Sequence, residues 1–258
     1  MSPFGGKVAL VTGASSGIGA ATASLLAELS STVIGADIAD EAGRELFASL
    51  GEHHRYAHLD VTDPDAWREL ADGIDRLDFA FLNAGVMMRP PDVPVLDDPL
   101  NWLEPDRFRR LMRVNVGGVV FGLGALIPVL ERDGGGDVVI TASTSGLQPF
   151  EVDPFYGASK AAVIQLTRSL TPWLAKRHIR INAICPHSIL TNIIPIDLRT
   201  RPDKIFSSPS YIADSVVRIV ESGDTGRIWV ARSESEPAWP VEYVDLLPRE
   251  AYIGEVTG

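Results

Sequence analysis

Cysteine is almost absent from this chain. Cys185 is the only one in 258 residues, so no intrachain disulfide can form, which fits a reducing compartment. Basic residues are also in short supply, 23 Lys and Arg against 34 Asp and Glu, for a net charge of −11. A chain this acidic lacks the positive field that gathers around phosphate backbones or anionic lipid, so neither nucleic acid nor membrane is an expected partner. Met1–Lys7 holds no apolar signal core, and a cytoplasmic location is the expectation. The longest apolar run, Val116 to Leu130, contains Gly117, Gly118, Gly122, Gly124 and Pro128. It is shorter than the roughly 20 residues a membrane span needs and reads as a buried helix.

What is present is a regular alternation. Apolar, β-rich runs occur at Val8–Val11, Thr32–Ala36, Arg55–Leu59, Phe79–Leu82, Val138–Thr141, Ile179–Ile184 and Arg227–Val230. Helical patterns start near Gly17, Asp40, Pro64, Pro105, Pro154 and Pro209. Near-continuous apolar strands separated by helices predict an α/β fold, a parallel sheet of about seven strands covered on both faces. One domain over 1–258 is expected, with a substrate loop near 188–209 and an irregular tail at 232–258 rich in proline and aromatics.

Two segments carry the chemistry. The first strand feeds Thr12-Gly13-Ala14-Ser15-Ser16-Gly17-Ile18-Gly19. Gly13, Gly17 and Gly19 permit close backbone approach. The helix starting at Gly17 points unpaired N–H groups and its positive dipole end at a candidate pyrophosphate, with Ser15, Ser16 and Ile18 lining the turn. Asp37 follows the second strand, where a carboxylate can accept both adenosine ribose hydroxyls and repel a 2′-phosphate. No Arg or Lys stands beside it, so NAD is favoured over NADP; the plainer role for Asp37 is a strand end or helix cap. Asp60 and Val61 follow the third strand and suit an adenine edge, or a turn before Pro64. Asn83, Ala84 and Gly85 follow the fourth, where small residues let the backbone approach the cofactor, or where Asn83 ties strand ends together.

The second segment is Tyr156-Gly157-Ala158-Ser159-Lys160, opening a helix capped by Asp153 and Pro154. Positions four apart share a helix face. A free phenol has a pKa of about 10 and is a poor base at neutral pH. An ammonium about 4 Å away is worth roughly 4 kcal/mol at an effective dielectric near 20. That predicts a tyrosine pKa lowered by as much as about 3 pH units, into the range of a general acid/base. Ser143 ends the fifth strand, 13 positions before Tyr156, where its hydroxyl can hold a substrate oxygen. Asn115 lies inside a helical pattern that disfavours it, and suits either a relay water beside Lys160 or a brace. Leu147, Phe150 and His187 are candidate substrate contacts. No cluster at metal-ligand spacing appears, so no metal is expected.

These segments, in this order and spacing, resemble the short-chain dehydrogenase/reductase family over residues from about Lys7 to Thr191. The resemblance implies a Rossmann-type doubly wound fold and an Asn115–Ser143–Tyr156–Lys160 tetrad. It implies hydride exchange between NAD and a small-molecule secondary alcohol or ketone, with Tyr156 as general acid/base and no metal. It places Pro186, Ile189 and Thr191 beside the nicotinamide. It also implies a homo-oligomer, tetramer or dimer, built through the helices of Asn115 and Tyr156. The chain departs from the family where Pro186-His187 replaces Pro-Gly, and where Pro172 interrupts the Tyr156 helix, predicting a kink. Two other readings compete: a non-enzymatic dinucleotide-binding regulator or scaffold, and an NADP-dependent carbonyl reductase.

Overall fold

In the computed structural model, residues 3–243 are described apart from 91, 95–96 and 192–205. Strand β1 (Val8–Thr12) lies in the interior of the sheet, buried on both faces. To one side lie β2 (Thr32–Asp37) and β3 (Arg55–His58); to the other β4 (Phe79–Leu82), β5 (Gly136–Thr141), β6 (Ile179–Pro186) and β7 (Ile228–Ala231). These seven strands are parallel, as the apolar runs predict. An eighth, β8 (Trp239–Pro240), pairs antiparallel with β7 and is fixed by the Val241 N–H donating to Ile228 O at 2.7 Å. This strand lies within the stretch expected to be irregular, and makes the sheet one strand wider than predicted.

Successive side chains of a strand point to opposite faces, and the core divides accordingly. Leu10, Ala80, Val138, Ile140 and Ile181 face a layer built from α3 (Pro64–Asp72), α5 (Gly118–Arg132) and α6 (Pro154–Ala175). Ala9, Val11, Phe79, Phe81 and Val139 face α1 (Gly17–Glu28), α2 (Asp40–Leu50) and α7 (Pro209–Ser222). The order β3-β2-β1-β4-β5-β6-β7 reverses direction between β1 and β4. In doubly wound sheets that reversal opens a crevice beyond the carboxyl ends of the strands.

Helix α4 (Pro105–Met112) runs into α5 through a π-helical turn, Arg113–Gly117, giving one helix over Pro105–Arg132. By length and composition this helix is apolar enough to cross a membrane, whereas the apolar run read from sequence alone is shorter. Its inner face is accounted for by packing: Val119, Leu123, Leu126 and Leu130 are buried in the core. Pro172 does not end α6, which continues to Ala175. Most of the loop expected at 188–209, and the end of the tail from 244, lie outside the described residues.

Candidate active site

A cleft of about 1140 Å³ opens at the reversal point. Gly13, Ser16, Gly17 and Ile18 line one end together with Asp37, Asp60 and Val61. Ser143, Tyr156, Lys160, Pro186, His187, Ile189 and Thr191 line it too, and Asn83, Ala84 and Gly85 also border it. The two segments that carried the sequence argument, more than a hundred residues apart, thus border one cavity.

The glycine turn is shaped as a cradle. Gly13 and Gly17 take φ of 65° and 53°, which side chains disfavour. A Cβ on Gly19 would come within 2.0 Å of Gly13 O, so Gly19 serves the packing of α1 on its own turn and does not border the cleft. Ser15 also stays outside. Its amide donates to Asp37 Oδ2 at 3.0 Å and its hydroxyl to Ala39 O at 3.2 Å. Asp37 Oδ1 accepts from Ala39 N at 3.0 Å, so the last residue of β2 is held by backbone on both carboxylate oxygens and still borders the cleft. Asp60 is both a turn residue, accepting from Thr62 N at 2.9 Å, and a wall of the cleft.

Asn83 does what its structural alternative describes. It bonds Thr12 O through Nδ2 (3.1 Å) and accepts from Thr141 Oγ1 (3.0 Å), joining β1, β4 and β5. The Thr12 hydroxyl accepts from the amides of Asn83 and Ala84. Thr141 O in turn accepts from Lys160 Nζ at 2.7 Å, which places the ammonium. Neither threonine's role was foreseen; the available signal was Thr at the ends of two neighbouring strands. Asn115 lies in the π-helical turn, 1% exposed, and does not line the cleft. It accepts from Val86 N (2.8 Å) and donates to Val86 O (2.9 Å) and Ser159 Oγ (3.0 Å), a brace between the segment after β4 and α6. An ideal Cβ on Gly85 would lie 3.4 Å from both Asn115 Oδ1 and Lys160 Nζ.

The electrostatics correct one expectation. Lys160 is 2% exposed, and burial brings its ammonium down to about 8. Its Nζ lies 5.6 Å from the Tyr156 ring centroid. The Tyr156 phenol is pushed up, not down: burial dominates, Asp153 and Cys185 add to it, and a hydrogen bond with Ser143 opposes it. Removing water penalises a phenolate more than this neighbourhood stabilises it.

At the other wall, Phe150 packs edge-on against Tyr156 and lines the cleft. Leu147 packs against the core and is not a cleft residue, because the short helical turn Thr144–Gly146 directs it inward. His187 Nδ1 lies 3.1 Å from Thr144 Oγ1, and its amide donates to Ala231 O at 3.0 Å. Ile189 is buried, and Thr191 reaches over the turn so that a Cβ on Gly17 would meet its Cγ2 at 3.1 Å. Arg89, Arg110 and Gln148 border the cleft as well and were not singled out from sequence.

The sequence profile described as short chain dehydrogenase matches residues 7–197. Tropinone reductase-like 1 of Erythroxylum coca is 36% identical over 201 residues, 76% of this chain and 72% of that one. (+)-Borneol dehydrogenase 1 of Salvia officinalis is 35% identical over 200 residues, 76% of this chain and 75% of that one. A crystal structure titled 3-ketoacyl-(acyl-carrier-protein) reductase from Brucella melitensis complexed with NADH shares the fold: TM-score 0.81, 24% identity, 90% of this chain and 98% of that one. The strand order, the cleft at its reversal and these matches together show that the chain belongs to the short-chain dehydrogenase/reductase family.

Proposed function

We propose that the chain is an NAD-dependent oxidoreductase that interconverts a secondary alcohol and a ketone. The observation that carries this reading is the single cleft bordered by the glycine turn, Asp37, Ser143, Tyr156 and Lys160. The residues fit a nicotinamide dinucleotide. Gly13 and Gly17 take positive φ and leave the turn bare of side chains where it borders the cleft, and α1 starts at that point with no side-chain cap on its N-terminus. Ala36, Ile38, Asp60 and Thr62 border the cleft with Asp37, and none of them is a cation that could receive a 2′-phosphate. NAD is therefore favoured over NADP.

When bound, the nicotinamide supplies the hydride acceptor or donor for the substrate carbon. Ser143 holds the substrate oxygen, and Tyr156 exchanges its hydroxyl proton with that oxygen. Lys160, held by Thr141 O, places a positive charge behind the phenol. Phe150 and Met87 give the wall an apolar character suited to a carbon skeleton. Assembly as a homo-oligomer through α5 and α6 belongs to the same reading.

The test is a panel of secondary alcohols with NAD or NADP at alkaline pH, read by absorbance of the reduced cofactor. Turnover with NAD, and tighter binding of NAD than NADP, are expected. Tyr156→Phe should lower kcat by about 10² to 10⁴ while NAD affinity stays within a few fold. A Phe variant with near-normal turnover removes Tyr156 from the chemistry.

A further inference from the structure

Asp153 is completely buried, beside the proposed acid/base, in a place where a helix cap alone does not require burial. The carboxylates at the starts of other elements show the ordinary arrangement. Asp63 caps α3 from an exposed position, with Oδ1 accepting from Asp65 N and Ala66 N, both local. Asp153 divides its two oxygens between two parts of the fold. Oδ1 accepts from Tyr156 N at 2.9 Å, the capping bond of α6. Oδ2 accepts from Met88 N at 2.8 Å and Arg89 N at 2.9 Å, more than sixty residues earlier in the chain. Three amide donors on one carboxylate suit its ionised form.

The segment after β4 is thereby anchored at successive points. Asn83 is tied to β1 and β5, and Val86 is clasped by Asn115. Met88 and Arg89 are held by Asp153. Asn115 also reaches α6 through Ser159. One such link would leave α6 able to pivot about it. Two links on either side of Tyr156 fix the orientation of the turn that presents the phenol.

We propose that Asp153 is a positioning residue, a buried clamp that locks the Tyr156 turn to the segment Asn83–Arg89 bordering the cofactor cleft. This rests on Tyr156 as the acid/base. The charged and titratable groups around the phenol are Lys160 on α6, Asp153 capping it, Cys185 on β6, and Arg89 and His187 on the cleft wall. Asp153 contributes a negative charge that opposes phenolate formation; burial raises its own carboxyl, and three amides with Arg89 favour the charged form.

Asp153→Asn separates clamp from cap, because Asn caps a helix about as well as Asp. Its Nδ2 would face two amide donors where Oδ2 accepted them. Asp153→Ser, also a good cap, is too short to reach Met88. Both variants should exchange the Met88 and Arg89 amides at least about tenfold faster than the parent. Both should lower kcat by about 10- to 100-fold, with NAD affinity within about twofold. The limb of the kcat profile lost in Tyr156→Phe should move to lower pH, since a charge opposing the phenolate is gone. A purely structural cap predicts a lower Tm with kcat and that limb unmoved; this outcome overturns the clamp. Should the parent oxidise no alcohol, the reading of the site fails on its own. The clamp is then judged by the ¹³C shift of the Tyr156 ring, which must differ between parent and Asn variant; an identical shift overturns it.

Discussion

Lys160 carries its charge where water hardly reaches, and the fold bears a measurable cost for that. Its side chain is 2% exposed, with Nζ bonded to Thr141 O, and burial brings the ammonium from 10.5 to about 8. The sign of the linkage follows. Between these two values the unfolded chain holds a proton that the folded chain has released, so folding stability rises with pH across that window. Below about pH 8 the full cost is present. The Tyr156 phenol acts in the opposite sense above its ordinary 10.0, because burial makes the folded state keep its proton. The buried Cys185 thiol, pushed from 9.0 up to about 12, also opposes the rise above 9.0, so the window of comparison is pH 8 to 10, where both groups cancel between the parent and a variant that keeps them. Lys160→Met removes the group from both states, so the stability of the parent relative to this variant should climb by about 2 to 3 kcal/mol across the window in cofactor-free protein. Urea unfolding at several pH values measures it. A flat difference would mean the ammonium is hydrated in the folded chain. The same residue shows what sequence reading misses. A Lys four positions after a Tyr announces proximity, but the sign of the tyrosine shift depends on enclosure by other elements, which spacing does not encode.

At the level of elements, the glycine turn separates two kinds of glycine that look alike in sequence. Gly19 meets its own backbone: a Cβ would lie 2.0 Å from Gly13 O and 2.9 Å from Asn83 Nδ2. Gly85 meets side-chain ends at 3.4 Å, ordinary contact, on the cleft side. Gly19→Ala should therefore cost about 1–3 kcal/mol of stability or more, since a backbone carbonyl has to move. Gly85→Ala should leave the thermal transition nearly unchanged and weaken cofactor binding, because the new methyl lies against Lys160 Nζ, which borders the cleft with Gly85. Thermal melts and a cofactor fluorescence titration distinguish the two; equal destabilisation by both would refute the assignment. The parallel strands were legible because burial on both faces leaves long apolar runs, and the helix starts because Pro or Gly stands at most of them, with the acidic pair Asp40-Glu41 opening α2. The π-helical turn around Asn115 was not legible, since an extra residue in a helical turn leaves no periodic trace over so short a stretch. Nor was β8, two residues long in a proline-rich tail. The candidate tetrad residues were legible from order and spacing. The ties that hold them were not, because Thr12, Thr141 and Asp153 act on residues far along the chain, where no local pattern records the partner.

Over the whole molecule, the surface offers unequal opportunities for assembly. A parallel sheet exposes two edges where another strand can add. One is closed by the chain's own β8, whose Pro240 has no N–H to donate. The other, β3, is four residues long with exposed Arg55 and His58 at its ends. Neither edge invites pairing. The outer face of α5 and α6 differs from the rest of a chain with net charge −11. Val120, Gly124 and Pro128 are exposed along α5, and Ala158, Ala161 and Trp173 along α6, with Val120 at 44% and Trp173 at 58%. Small and apolar side chains let two helices approach closely, so a second copy can dock here without bringing charges together. That face also bears on the site, because α6 carries Tyr156 and Lys160 on its inner side. The full chain should therefore have a native mass of at least two protomers by light scattering at micromolar concentration. Val120→Glu should reduce that mass to one protomer while leaving the far-ultraviolet circular dichroism unchanged, since Val120 lies outside the core. It should also lower turnover, because α6 loses the packing that steadies its outer face. A parent chain that is monomeric under these conditions rules out this face as the interface; a Val120→Glu variant that keeps its mass moves the contact elsewhere on the surface.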